Sequence, residues 1–118
     1  MPTTDMVEGV EFQMGWRFKE DSITPKDLTG FNVLVQIRQN PWSSTTYGSW
    51  TEVDPEITFD AVNGAIDLYL TPSDVANLST QANPFCGGYI DCLVSDAIDG
   101  DRSPTYTIRY HTGVSRNG

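Results

Sequence analysis

Apolar and polar residues alternate along several short stretches of this chain. In Phe31-Asn32-Val33-Leu34-Val35-Gln36-Ile37-Arg38, the side chains of Phe31, Val33, Val35 and Ile37 share one face, because successive residues of a strand point to opposite sides. Residues 10 to 18 repeat the pattern. Val10, Phe12, Met14, Trp16 and Phe18 fall on one face, and Glu11, Gln13, Gly15 and Arg17 on the other. This predicts a strand with one buried and one wet side. A slip of one residue would put the large apolar groups in water, so its register is expected to be firm. Further strands are predicted at 47–53, 57–59, 65–70, 89–94 and 104–110.

Turn chemistry punctuates these stretches. Asp27-Leu28-Thr29-Gly30 is a polar turn whose glycine supplies a positive φ ahead of the 31–38 strand. Pro55 ends one strand, Asn63-Gly64 signals a hairpin, and residues 96 to 103 read as a hairpin loop. Thr71-Pro72-Ser73-Asp74 combines a threonine N-cap, proline at the first helical position and an acid in the first turn. One or two helical turns are expected there, with Val75 and Leu78 closing one end of the fold. About seven short strands and one short helix describe an all-β antiparallel sandwich. The 118 residues make one domain, with residues 1–8 and 111–118 expected as extended arms.

Composition narrows the function. The formal net charge is −9, and the seven lysines and arginines are scattered. A phosphate-gripping domain needs a basic stripe, so nucleic acid is not an expected partner. An anionic membrane surface is disfavoured for the same reason. No apolar run reaches the length of a membrane span. The opening Met1-Pro2-Thr3-Thr4-Asp5 lacks the basic-then-apolar order of a signal peptide, so export by that route is not expected. If 88–94 is one strand, Cys86 and Cys92 are too far apart along it for a disulfide, and free, partly buried thiols are expected.

The order of the motifs resembles a family of small virion proteins of tailed bacteriophages, encoded near tail-fibre or baseplate genes. The residues that carry the resemblance are Asp27 to Gly30 with Gln36-Ile37-Arg38, then Gly64, Ile66, Leu68 and Leu70 leading into Thr71 to Val75. Gly88-Tyr89, Asp99-Gly100 and the closing Gly113-Val114-Ser115-Arg116 complete it, so that the likeness runs over roughly residues 8 to 116. The 39–55 loop carries extra aromatics, the 79–87 loop is long, and Ser115 stands where the family has threonine. The resemblance implies an immunoglobulin-like β-sandwich and a structural role in the virion, assembled in the host cytoplasm. It further implies docking as an adaptor at the tail fibre or baseplate. The implied partners are other virion proteins, of tail or capsid, or copies of the chain in a symmetric assembly.

Candidate chemistry is sparse. Asp96, Asp99 and Asp101 around Gly100 are oxygen-rich but lack the order of a calcium loop, and a solvated turn explains them. His111, Cys86 and Cys92 have no zinc spacing and no local signature of a nucleophile pair. Asp54 and Glu56 are a chance pair in a chain with 16 acids. No enzyme activity, metal or cofactor is expected. Trp42, Tyr47 and Trp50 stand out, because aromatics in a serine- and threonine-rich loop suit an interface or a sugar-stacking face. Trp50 as core, with Trp42 and Tyr47 covering a sheet edge, is the plain alternative. The expected partner-binding residues are therefore Trp42, Tyr47 and Trp50, with Val114 and Arg116 in the closing motif. The functional alternatives are a carbohydrate-binding module for host attachment and a capsid decoration protein.

Overall fold

The computed structural model describes residues 2–21, 23–40, 46–78 and 85–111. Its strands are β1 (Thr3–Val7), β2 (Phe12–Arg17), β3 (Asn32–Arg38), β4 (Thr46–Thr51), β5 (Ile57–Asp60) and β6 (Ala65–Leu70). After the helix α1 (Pro72–Ala76) come β7 (Gly87–Ser95), β8 (Gly100–Arg102) and β9 (Tyr106–His111). The larger sheet runs β1-β9-β7-β3-β4, with β8 beside β7, and the smaller runs β2-β6-β5. All pairings are antiparallel except β1 with β9. This is a two-sheet β-sandwich, with the first strand attached to the last rather than to β2.

The alternation places the core. Val33, Val35 and Ile37 of β3 and Ile90, Cys92 and Val94 of β7 are buried against Phe12, Trp16, Ile66, Leu68 and Leu70 of the smaller sheet. At the entry to β3, Asp27 Oδ1 accepts the Thr29 N–H and hydroxyl, Leu28 is fully buried, and Gly30 takes φ +86°. At the helix start, Thr71 Oγ1 accepts the Asp74 N–H, and Asp74 Oδ2 accepts the Thr71 N–H. This reciprocal cap pins α1 so that Val75 and Leu78 close the core.

Three expectations change. Of the arm expected over residues 1–8, Thr3–Val7 is instead a strand that pairs in register with Thr107–His111 and buries Met6. Asp5 secures this strand, 3.0 Å from both Arg109 Nε and His111 Nε2. His111 is thus the last residue of β9, and 112–118 lie outside the described residues. The strand predicted from Val10 starts at Phe12. The chain turns back on itself where the Val10 N–H donates to Val7 O, which leaves Val10 49% exposed. Nine described strands replace seven, the additions being β1 and β8. The predicted 96–103 loop holds β8, whose Gly100–Arg102 pairs with Leu93–Ser95 of β7. Ser103 extends the contact, its N–H donating to Cys92 O and its Oγ accepting the Cys92 N–H. The two cysteines are free, Cys92 buried and Cys86 exposed.

Candidate functional site

Trp42, Val114 and Arg116 lie outside the described residues. Tyr47 and Trp50 sit on β4, at the edge of the larger sheet. Trp50 is registered against Val35, so its indole lies on the inner face, half-buried against the core. Gly48 makes room for it, since a Cβ there would run into the Trp50 ring. Tyr47 follows the register shift at Ile37/Arg38. Its ring meets Phe85 edge-on at 4.8 Å, and Phe85 meets Tyr110 at 4.9 Å. Phe85 is buried while both tyrosines stay half-buried, so the three rings form a stack that closes this end. Between β4 and α1 lies a recess of about 230 Å³, lined by Tyr47, Ser49, Trp50, Asp74 and Asn77 among others. Asp74 is already engaged in the helix cap.

The other candidates have local structural duties. Asp54 Oδ2 accepts the Thr51 N–H and closes the turn after β4. Asp96 Oδ1 accepts the N–H groups of Asp99 and Ile98, which hold its carboxyl below the ordinary range. Asp99 and Asp101 face Lys26 at 3.4 and 4.0 Å. No group of three or more histidine, cysteine or acidic side chains placed to hold a metal ion occurs among the described residues. Burial, helped by the nearby Asp91 charge, pushes the Cys92 thiol up to about 12. At neutral pH it is protonated and a weak nucleophile.

One arrangement escaped the sequence reading. Asp91, in the central strand β7, is 2% exposed and receives Arg38 Nη2 at 2.6 Å and Arg102 Nη1 at 2.7 Å. A carboxylate between Ile90 and Cys92 in an otherwise apolar strand was the available signal. A buried charge of this kind persists only when paired, so Arg38 and Arg102 are its structural partners. A recess of about 300 Å³ lies nearby, among Trp16, Phe18, Tyr106, Arg17, Lys19 and Arg102. Its arginines are already held, Arg17 by Asp67 at 3.0 Å and Arg102 by Asp91. Compared with protein families and with curated proteins, the chain matches none.

Proposed function

We propose that this chain is a non-enzymatic structural protein of a tailed-phage virion, an adaptor docked at the tail fibre or baseplate. The observation that carries docking is the character of β4. Among the described residues five strands have a partner on one side only. Four carry a charge: Asp5 on β1, Arg17 on β2, Asp60 on β5 and Asp101 with Arg102 on β8. The fifth, Thr46-Tyr47-Gly48-Ser49-Trp50-Thr51, has neither charge nor proline. Proteins normally protect an edge with such residues, because its open N–H and C=O groups invite another strand. An uncharged edge in a chain of net charge −9 suits strand addition by a partner. Tyr47 and Trp50 add apolar contact at its side. The virion setting rests on the ordered motifs from Asp27 to the 113–116 segment. Its partners are other virion proteins or further copies of the chain, and symmetric copies multiply weak contacts.

Electron cryo-microscopy of the particle, with mass spectrometry of its proteins, tests this. The expected result is density for the sandwich at the tail fibre or baseplate with β4 covered. Density over the head lattice would make it a capsid decoration protein instead. Absence from purified particles overturns the virion reading.

A second reading has its own observation. The recess beside Tyr47 and Trp50 combines aromatic rings with Ser49 and Asn77, as a sugar-binding face does. Binding on a glycan array that disappears in Trp50→Ala would favour a carbohydrate-binding module.

A further inference from the structure

We infer that the opposite end of the sandwich is a second contact surface, whose occupant is a protein face with an apolar hollow rimmed by lysine or arginine. The inference rests on the adaptor reading, since an adaptor must touch two neighbours.

Three turns meet at this end: the β2–β3 connection, the β5–β6 hairpin and the β7–β8 hairpin. Hydrogen bonds join the first two, from Phe18 N–H to Gly64 O at 2.9 Å and from Leu28 N–H to Ala61 O at 2.8 Å. The Lys26–Asp99 ion pair, at 3.4 Å, joins the first to the third. Each turn holds one aliphatic side chain out into solvent. Ile23 is 81% exposed, Val62 65% and Ile98 96%. Single exposed aliphatics are ordinary, but a group on adjoining turns is what an interface presents.

The turns are also set in place. Asp21 Oδ1 accepts the Ile23 and Thr24 N–H groups at 2.8 and 2.7 Å. Asp96 Oδ1 accepts those of Ile98 and Asp99 at the same distances. A fixed tip loses little freedom on docking, so its apolar burial is retained as affinity.

Charge selects the occupant. The turns that carry the three aliphatics, and the strand ends beside them, also carry Glu20, Asp21, Asp60, Asp96, Asp99 and Asp101. The lysines of these turns are Lys19 and Lys26, and Lys26 is held by Asp99. A second copy would bring acid against acid, and a nucleic acid or anionic bilayer would be repelled. A cationic rim around an apolar hollow meets both features.

The test uses particles assembled without this chain, to which the purified full chain is added and binding is measured. Wild type is expected to bind, and more weakly as sodium chloride is raised. Ile23→Ser and Ile98→Ser are each expected to bind roughly tenfold more weakly, with unchanged melting temperature as the control for folding. If wild type binds and both variants match it, the inference fails while the virion reading stands. If wild type does not bind, both fail. A wild-type dimer in sedimentation that Ile98→Ser abolishes would assign this end to self-association and overturn the stated occupant.

Discussion

The two ends of this sandwich are closed by different means. At the Tyr47 end, rings and a capped helix fill the gap between the sheets, with Phe85, Val75 and Leu78 buried. At the Ile98 end, backbone bonds and aspartate-braced turns seal the chain, with Leu28 the buried anchor. Closing an end with side chains draws apolar groups inward. Closing it with backbone leaves apolar side chains free to face a partner. Mutations at the first end should therefore be felt in stability, and surface mutations at the second in association.

The largest effect is expected from Phe85→Ala. It removes the middle ring of the stack and leaves a cavity between Tyr47 and Tyr110. The loss should be about 3–4 kcal/mol, read as a lower urea midpoint with unchanged slope. A loss under about 1 kcal/mol would mean that the rings do not close the core.

Gly64→Ala brings the second end into the comparison through its backbone. Gly64 has φ +61°, and a Cβ there would lie 2.6 Å from the carbonyl oxygens of both Lys26 and Phe18. The Phe18 carbonyl accepts the Lys26 N–H, and the Phe18 N–H donates to Gly64 O itself, so the backbone has little room to yield. A loss of about 2 kcal/mol is expected in the same denaturation. A neutral result would show that these turns are not braced against each other.

Thr71→Ala should cost about 1 kcal/mol by removing the side-chain acceptor of the Asp74 N–H. Thermal unfolding measures it. Because α1 covers the recess beside Trp50, the indole fluorescence of the native state should change as well. A stability change without that spectral change would separate the helix from the aromatic end.

Much of this was legible in the chain. The period-two stretches located β3 and β6 within a residue, and the Asp27–Gly30 turn and the Thr71 cap were local signals read correctly. Local patterning reports local structure, and it stops where long-range pairing decides. Thr3–Val7 has no marked alternation and is a strand only because β9, more than a hundred residues away, offers a parallel partner. β8 is three residues long and is a strand because it pairs with the end of β7. The Asp91 pairing joins β3, β7 and β8, which no spacing along the sequence expresses. The aromatic residues of β4 were visible as candidates. The grouping of Ile23, Val62 and Ile98 was not, because each is a lone apolar residue in a polar loop until the topology brings the loops together.

The smallest effect concerns acid. The carboxyl of Asp96 is held below its ordinary range by the Asp99 and Ile98 N–H groups, and that of Asp21 by the Ile23 and Thr24 N–H groups. A carboxylate whose pKa is depressed in the folded state contributes stability that is fully present above its unfolded value, near 3.8 for aspartate. That contribution fades as pH falls through the lower, folded value. Asp96→Asn keeps an oxygen that can accept the same two N–H groups but has no proton to take up. The variant should therefore lose less stability than wild type between neutral pH and pH below about 3. Melting curves across that range measure the difference. Asp5, depressed chiefly by His111 and then by Arg109, gives the matching case on the β1–β9 pair, with the same sign in Asp5→Asn. If Asp96→Asn follows the wild-type pH curve throughout, the Asp96 carboxylate is not what braces the Ile98 turn. The rigidity of that turn must then come from its backbone bond between the Asp96 N–H and Asp99 O and from the Lys26 contacts.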